Sequence, residues 1–406
     1  MRWWSVITGS RAASKVESVD VLIVSTVEPF EQLDDGTVSW RSGRIHSQLT
    51  ELGISSKIVT STFNHYTKSF REPSRDDSFI LMRSISYKKN ISARRILNYL
   101  LHVPQLLLLV LKYRPNYVLI TVPPIAHLCI VPIVKILDKR INFWIDVRDL
   151  WPEIFVEFLS RFFGVKFANA CFSHSFFIRE IALREAAILT TISPMFANNI
   201  SVKDTSILSK FIWFPHPKSV SKVRKYRAHR NEDIIRFVYI GSLSRRTDLV
   251  NFIRQVGEFV GHRRCEFIIG GKGALEPELK LLKSNGFNIN YLGWVSGNRV
   301  EKIFSDADFG MIPYPGTIDF DASFPNKFLE YSALGLRSVS NPLSIYKHPE
   351  VPKILRPFHL NVEFRTILNE PLEFSEREYR KTVFYQTLSD QRMINALGDL
   401  AESLKR

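Results

Sequence analysis

The feature that most constrains this chain is a strand–turn–helix alternation that runs through it twice. Val19–Thr26 is a short, branched apolar run closed by turn residues, the pattern of a strand buried on both faces. Ser42–Leu52 carries Ile45, Leu49 and Leu52 at helical spacing and stops at Gly53. Ser56–Thr60 is then a strand, Ile96–Tyr113 a helix, Tyr117–Thr121 a strand, Ile125–Leu137 a helix and Asn142–Asp146 a strand. The alternation restarts with strand Arg236–Gly241, helix Asp248–Val260, strand Cys265–Gly270, helix Pro277–Asn285 and strand Ile289–Leu292. It continues with helix Val300–Ser305, strand Phe309–Pro313 and helix Asn326–Leu334. Strands separated by helices pair in parallel, so the chain is expected to be α/β, with two doubly wound domains. A length of 406 residues also exceeds one ordinary core. The expected organisation is a flexible extension over 1–18, a first domain over 19–215, a basic linker over 216–232, a second domain over 233–385 and a terminal helical segment over 386–406. Sheets of this kind bind ligands beyond the carboxyl ends of their strands, here across a cleft between the domains.

Composition narrows the partners. A net charge of +15 and a pI near 9.7 favour something anionic: nucleic acid, a phosphorylated ligand or an acidic membrane. No reading helix, zinc module or aromatic RNA motif is recognisable, so nucleic acid is not expected. Cys129, Cys171 and Cys265 are far apart and form no C-x-x-C pair; that usage argues against structural zinc and for a reducing compartment. The first twenty residues lack the apolar run of a signal peptide. Leu97–Leu111 falls short of the roughly 20 residues of a bilayer span. Tyr117–Leu137 is long enough, but Pro123-Pro124 divides it into a strand and a helix.

Three segments of the second half suit a phosphorylated ligand. The strand ending at Gly241 is followed by Ser242, Arg245 and Arg246; the glycine admits close approach, and the arginines can neutralise a diphosphate. Gly270-Gly271-Lys272-Gly273 joins a strand to a helix without P-loop spacing. The third segment, Phe324-Pro325-Asn326-Lys327-Phe328-Leu329-Glu330-Tyr331, opens a helix, with Pro325 expected in its first turn. Free amides there make an anion site, Lys327 adds charge, and Glu330 can hold ribose hydroxyls. An ordinary surface helix with a Lys–Glu pair is the alternative. Asp319-Phe320-Asp321, which mimics a metal-binding D-x-D signature, reads as a loop; no metal is expected.

The run from Phe324 to Gly335 resembles the donor motif of family 4 glycosyltransferases, in particular the P-x-K-x-x-E-Y-x-A-x-G pattern of the branch that builds bacterial surface polysaccharides. The Gly241-Ser242-Leu243 turn, Gly271-Lys272-Gly273, Leu292-Gly293-Trp294-Val295 and Ala307-Asp308 follow in that family's order. The resemblance implies two Rossmann-like domains of the GT-B type and retaining transfer from a nucleotide sugar without an obligatory metal or other cofactor. Phe324, Pro325, Asn326, Lys327 and Glu330 would line the donor site, with Gly241, Ser242, Arg245, Arg246, Gly271 and Gly273. Two departures stand out. The family's first motif glutamate falls on Ala322, and the arginine after the strand glycine is Ser242, so that Arg245 or Arg246 would supply the charge.

In the first half, Asp146-Val147-Arg148-Asp149-Leu150-Trp151-Pro152 resembles the D-x-R-D-x-W-P signature of the same branch. Arg148 can stabilise charge on a departing phosphate and Asp149 can orient it or the acceptor, unless the two simply pin the loop. Together with Lys327 they are the expected catalytic residues. Arg41 and Gly43 open a helix, and His65 follows a strand; these are the expected acceptor-side residues, although a structural role for His65 is equally open. The family's paired glycines in the first loop reduce to Gly36.

Phe155–Arg184 interleaves Phe158, Phe162, Phe163, Phe172, Phe176 and Phe177 with Arg161, Lys166, Arg179 and Arg184. An interfacial helix inserts rings among headgroups while basic residues attract anionic lipid; an amphipathic helix packed on the sheet gives the same pattern. Ser389–Leu404 is amphipathic and, by the resemblance, packs back on the first domain. The expected function is transfer of a sugar to a polyprenyl-linked glycan in capsule, O-antigen or exopolysaccharide synthesis. It would take place in the cytoplasm, at anionic lipid of the inner leaflet. A nucleotide-sugar 2-epimerase and a non-catalytic nucleotide- or nucleic-acid-binding protein are the alternatives.

Overall fold

The structure, a computed structural model, describes residues 19–28, 40–71, 77–90, 92–216, 218, 234–295 and 297–405. The expected extension 1–18, Gly36 and most of the expected linker, with Lys222, Arg224, Lys225, Arg227 and Arg230, lie outside the described residues.

The elements follow the expected alternation. They are β1 (Val21–Val24), α1 (Arg41–Glu51), β2 (Ser56–Ser61), β3 (Phe79–Met82), α2 (Ala93–Tyr113), β4 (Tyr117–Val122), α3 (Ile130–Leu137), β5 (Asn142–Val147), α4 (Glu153–Phe163), α5 (Val165–Glu185), β6 (Ile188–Thr191) and β7 (Phe211–Trp213). Then come β8 (Ile235–Ile240), α6 (Leu249–Val260), β9 (Cys265–Gly270), α7 (Glu276–Ser284), β10 (Ile289–Gly293), α8 (Gly297–Ser305), β11 (Phe309–Ile312), α9 (Ile318–Ala322), α10 (Asn326–Ala333), β12 (Arg337–Ser340), α11 (Val362–Ile367), α12 (Phe374–Thr387) and α13 (Asp390–Lys405). One sheet has the order β3-β2-β1-β4-β5-β6-β7, the other β10-β9-β8-β11-β12. The pairings β3-β2-β1-β4-β5 and all those of the second sheet are parallel. In both sheets the order reverses beside the first strand, so each has a topological switch point, at β1/β4 and β8/β11.

The chain divides into two compact units, Met1–Val147 with Ala170–Leu189 and Leu397–Arg406, and Arg148–Asn169 with Thr190–Ala396. In the second unit both faces of the sheet are apolar. Phe237 and Tyr239 of β8 point into one core with Phe267, Ile269, Phe309 and Met311. Val238 and Ile240 point into another with Phe328, Leu329 and Tyr331 of α10. Phe237 stacks between Phe267 and Phe309, with ring centroids 5.7 Å apart on each side. Some of the chain's 30 phenylalanines therefore build this core.

Several local expectations are corrected. β3, β6, β7 and β12 were not foreseen: they are only three or four residues long, and β12 (Arg-Ser-Val-Ser) has a single apolar side chain. It is nevertheless buried, because Arg337 donates to Glu376 (2.9 Å) and to the Glu370 carbonyl (2.9 Å). Ile125–Leu137 is a 3-10 turn, Ile125–Cys129, followed by α3. The Phe155–Arg184 stretch is two helices, broken at Gly164, whose φ of 81° suits glycine. α2 begins at Ala93, where the Ser92 hydroxyl accepts the Arg95 amide (3.3 Å). Its 21 residues include an 18-residue window of mean hydropathy 1.4, long and apolar enough by length and composition to cross a membrane, contrary to the reading of Leu97–Leu111 alone.

Candidate active site of the second unit

The switch point of the second sheet gathers the expected donor residues. Pairing between β8 and β11 ends at Gly310–Val238, and the two strands diverge beyond it. Tyr331 of α10 fills the fork. Its hydroxyl lies 3.1 Å from the Val238 carbonyl and 3.2 Å from that of Met311. A β-carbon on Gly310 would come within 2.3 Å of the Tyr331 ring. The tyrosine of the motif thus anchors α10 to the sheet, and burial pushes its phenol well above the ordinary value.

That anchor sets the rest of the helix. Asn326 is exposed, and no side chain caps the helix start. Pro325 sits one position before the first turn, at φ −58° and ψ 137°; its extended ψ ends the preceding loop, and its carbonyl accepts the Leu329 amide. Lys327 Nζ lies 2.5 Å from Glu330 Oε2, and Lys218 Nζ lies 3.3 Å from Oε1. Burial alone would raise the Glu330 carboxyl, but the two ammonium groups outweigh it and hold it below its ordinary value. Lys218 was expected only as part of a linker; no spacing rule connects it with a residue 112 positions away. Tyr239 and Tyr314 complete the wall, their phenols raised first by burial and further by Glu330, that of Tyr314 to about 12.

Gly241 follows β8 and lies against Lys327: a β-carbon there would lie 3.1 Å from Lys327 Cε. Gly271, at φ 134°, and Gly273 face the same turn. Their β-carbons would lie 1.8 Å from the Gly241 carbonyl oxygen and 2.4 Å from that of Leu243. These glycines let two loops stack, with the Gly241 amide donating to Gly270 (2.9 Å) and the Leu243 amide to Lys272 (3.1 Å). Ser242 is exposed, and its carbonyl accepts the Tyr239 hydroxyl at 3.1 Å.

The two arginines point outward. Arg246 pairs with Asp319 at 2.5 Å and lies over the Phe320 ring, while Arg245 reaches Glu278 at 3.7 Å. Asp319 and Asp321 stand in the one-turn helix α9, not in a loop; Asp321 accepts the Ser344 amide at 2.7 Å. Phe324 is 3% exposed, in the core between Trp213 and Phe328. Ala322, where the family's first motif glutamate falls, is buried, and its carbonyl accepts the Ser193 hydroxyl.

Arg148 and Asp149 follow β5. Arg148 is half-buried and Asp149 exposed. Burial pushes the Arg148 guanidinium down to about 9 against the opposing effect of Asp149, so it remains a cation at neutral pH.

The expected acceptor-side residues lie in the first unit, where Trp40, just before Arg41, packs on Tyr66 beside His65 (ring centroids 5.7 Å). Arg41, buried at the start of α1, donates to both carboxylate oxygens of Asp146 (3.0 and 2.8 Å). Gly43 is buried in the same helix, whose Ser42 amide meets the Glu28 carboxylate at 3.1 Å. His65 contacts the Tyr87 hydroxyl at 2.9 Å. Burial, with Arg95 and Lys68 nearby, lowers its pKa to about 4.

Residues 235–354 match the family model described as glycosyl transferases group 1. Solved structures that resemble nearly the whole chain include the following three. Sucrose-phosphate synthase from Thermosynechococcus elongatus is 12% identical with a TM-score of 0.64, covering 95% of this chain and 98% of that one. The lipopolysaccharide outer core galactosyltransferase WaaB is 14% identical with a TM-score of 0.60, covering 95% and 99%. HepE from Anabaena, in complex with UDP and glucose, is 8% identical with a TM-score of 0.60, covering 94% and 99%. No curated protein sequence matches. At these identities the likeness concerns the fold, two Rossmann-like domains of the GT-B class.

Proposed function

We propose that this protein is a glycosyltransferase that takes its sugar from a nucleotide-sugar donor bound at the carboxyl ends of β8 and β11. The observation that carries this reading is the Lys327–Glu330 pair beside Gly241, at a switch point inside the segment that matches glycosyl transferases group 1. As the sugar C1–O bond breaks, the departing diphosphate gains negative charge. The Lys327 ammonium and the first-turn amides of α10 meet that charge without a metal. Lys327 exchanges Glu330 for phosphate, and Glu330 keeps Lys218 and accepts from ribose hydroxyls. Arg148 adds positive charge toward the leaving group, and Asp149 orients the acceptor. The transfer retains configuration.

The neighbours support the finer reading. HepE is solved with UDP and glucose, and WaaB is a galactosyltransferase of lipopolysaccharide. The acceptor proposed here is a lipid-linked glycan of a surface polysaccharide, met at the inner face of the plasma membrane, with Arg41, Gly43 and His65 on the acceptor side. Phe158, Phe162 and Phe163 of α4 are exposed beside Arg161 and Lys166, as lipid contact requires. Incubation of the purified protein with a panel of nucleotide sugars, with and without polyprenyl-linked glycan and with chelator, tests the reading. Nucleotide release that rises with acceptor and survives chelation is expected. Absence of release and of any thermal shift across the panel would overturn it.

A further inference from the structure

α2 is amphipathic in the inverted sense. Over its first three turns the inward face is largely polar, before Leu106 and Val110 bury the rest: Asn98 accepts the Ile85 amide (2.8 Å), His102 meets the Ser84 hydroxyl (2.9 Å), and Arg95 donates to Tyr99 and to the Asn90 carbonyl (both 2.6 Å). Its outward face is apolar: Ile96, Leu97, Leu100, Leu101 and Leu108 are between 41% and 62% exposed. The polar bonds hold α2 to the first unit, so this apolar face cannot turn inward without leaving buried polar groups unpaired. α3 packs beside α2 and extends the surface with Ile133, Ile136 and Leu137, all exposed.

Charge identifies what this surface fits. From Ser78 to Leu137 the chain contains no Asp or Glu. In that run Arg83, Lys88, Lys89, Arg94, Lys112 and Arg114 are exposed. The first acid after it, Asp138, is held by Arg140 at 2.9 Å. A row of leucines bordered by cations, on a helix fixed along its opposite side, matches an anionic bilayer surface. The leucines enter the acyl boundary and the cations stay among headgroups.

We infer that the outward face of α2, with the end of α3, is an interfacial docking surface for anionic lipid in the first unit, separate from the aromatic helix α4. It lies in the membrane plane and does not span it. The inference does not rest on glycosyl transfer, and its loss would leave donor chemistry untouched.

The test uses the full chain with vesicles of phosphatidylcholine, with or without phosphatidylglycerol, at low salt. The double variant Leu97→Glu, Leu101→Glu should bind anionic vesicles roughly tenfold less or weaker, while its nucleotide-sugar hydrolysis stays unchanged. Because both sites are exposed, an unchanged thermal midpoint checks folding. Replacing Lys88, Lys89 and Arg94 by Gln should lower binding roughly a hundredfold. A nitroxide on Leu100→Cys, in a Cys171→Ser background, should become accessible to oxygen and shielded from an aqueous relaxant only with anionic vesicles. The Phe158→Glu, Phe162→Glu variant should keep that response whenever it is bound. Three results would overturn the inference: a label already shielded without vesicles, as in a dimer or under another segment of the chain; equal response to neutral vesicles; or binding lost in the α4 variant and unaltered in the α2 variant.

Discussion

The ammonium of Lys327 and the carboxylate of Glu330 lie 2.5 Å apart, one turn along α10, with Gly241 against the lysine stem. Removing the ammonium should act on the transition state far more than on folding. Lys327→Ala should lower kcat by roughly a hundredfold or more, with a smaller loss of thermal midpoint, because only Lys218 is left to offset the Glu330 carboxylate. Equal loss in KM alone would make Lys327 a ground-state contact.

Glu330 gives this pair a pH signature. Its folded-state carboxyl is held below the ordinary value, so its contribution to stability is present above that value and lost as pH falls through the lower one. Glu330→Gln should flatten the acid limb of the stability–pH curve in the carboxylate range, and donor binding should weaken at neutral pH. An unchanged acid limb would dissociate the two lysines from the carboxylate.

The fork between β8 and β11 should be intolerant of change in either partner. Gly310→Ala drives a methyl into the Tyr331 ring and should cost about 1–3 kcal/mol. Tyr331→Phe deprives the carbonyls of Val238 and Met311 of a donor and should cost about 1–3 kcal/mol. Denaturant unfolding of both single variants and the double variant measures their coupling, which is expected to differ from additivity because they touch.

The buried Arg41–Asp146 pair, fully shielded on both sides, should behave as a structural clamp. Arg41→Ala leaves a carboxylate in the interior and should cost about 3–5 kcal/mol, while the paired change Arg41→Met, Asp146→Leu should recover most of it. A single variant that folds as stably as the parent, and loses only activity, would give Arg41 a direct role with the acceptor.

Acid should weaken the first unit through its histidines. Burial lowers the pKa of His102 to about 4 and holds that of His127 well below its ordinary value, and His65 is also near 4. The unfolded chain therefore binds protons that the folded one refuses between about pH 6.5 and 4, and stability falls as pH drops through that window. Each histidine adds up to about 1.4 kcal/mol per pH unit. Calorimetry from pH 7 to 4.5 should show this slope, reduced in His102→Gln.

Much of the architecture was legible in the sequence. Parallel strands buried on both faces are continuous apolar runs, and glycines at their ends mark where the backbone turns. The Pro325–Glu330 spacing put Lys327 and Glu330 one turn apart without knowledge of the fold. The short strands escaped because three or four residues carry little period, and β12 offers only one apolar side chain, Val339, to the core beside the bonds of Arg337.

Only the tertiary structure decided what faces what. Gly271 and Gly273 admit a neighbouring loop, Phe324 enters the core, and Lys218 reaches Glu330 across 112 positions. Arg41 finds Asp146 at a separation of 105. Local spacing is silent on such contacts, since they depend on which strand ends the sheet order brings together. α2 is the sharpest case. Its periodicity fits either orientation, and the polar partners on Ile85, Ser84 and Asn90 turned its leucines outward.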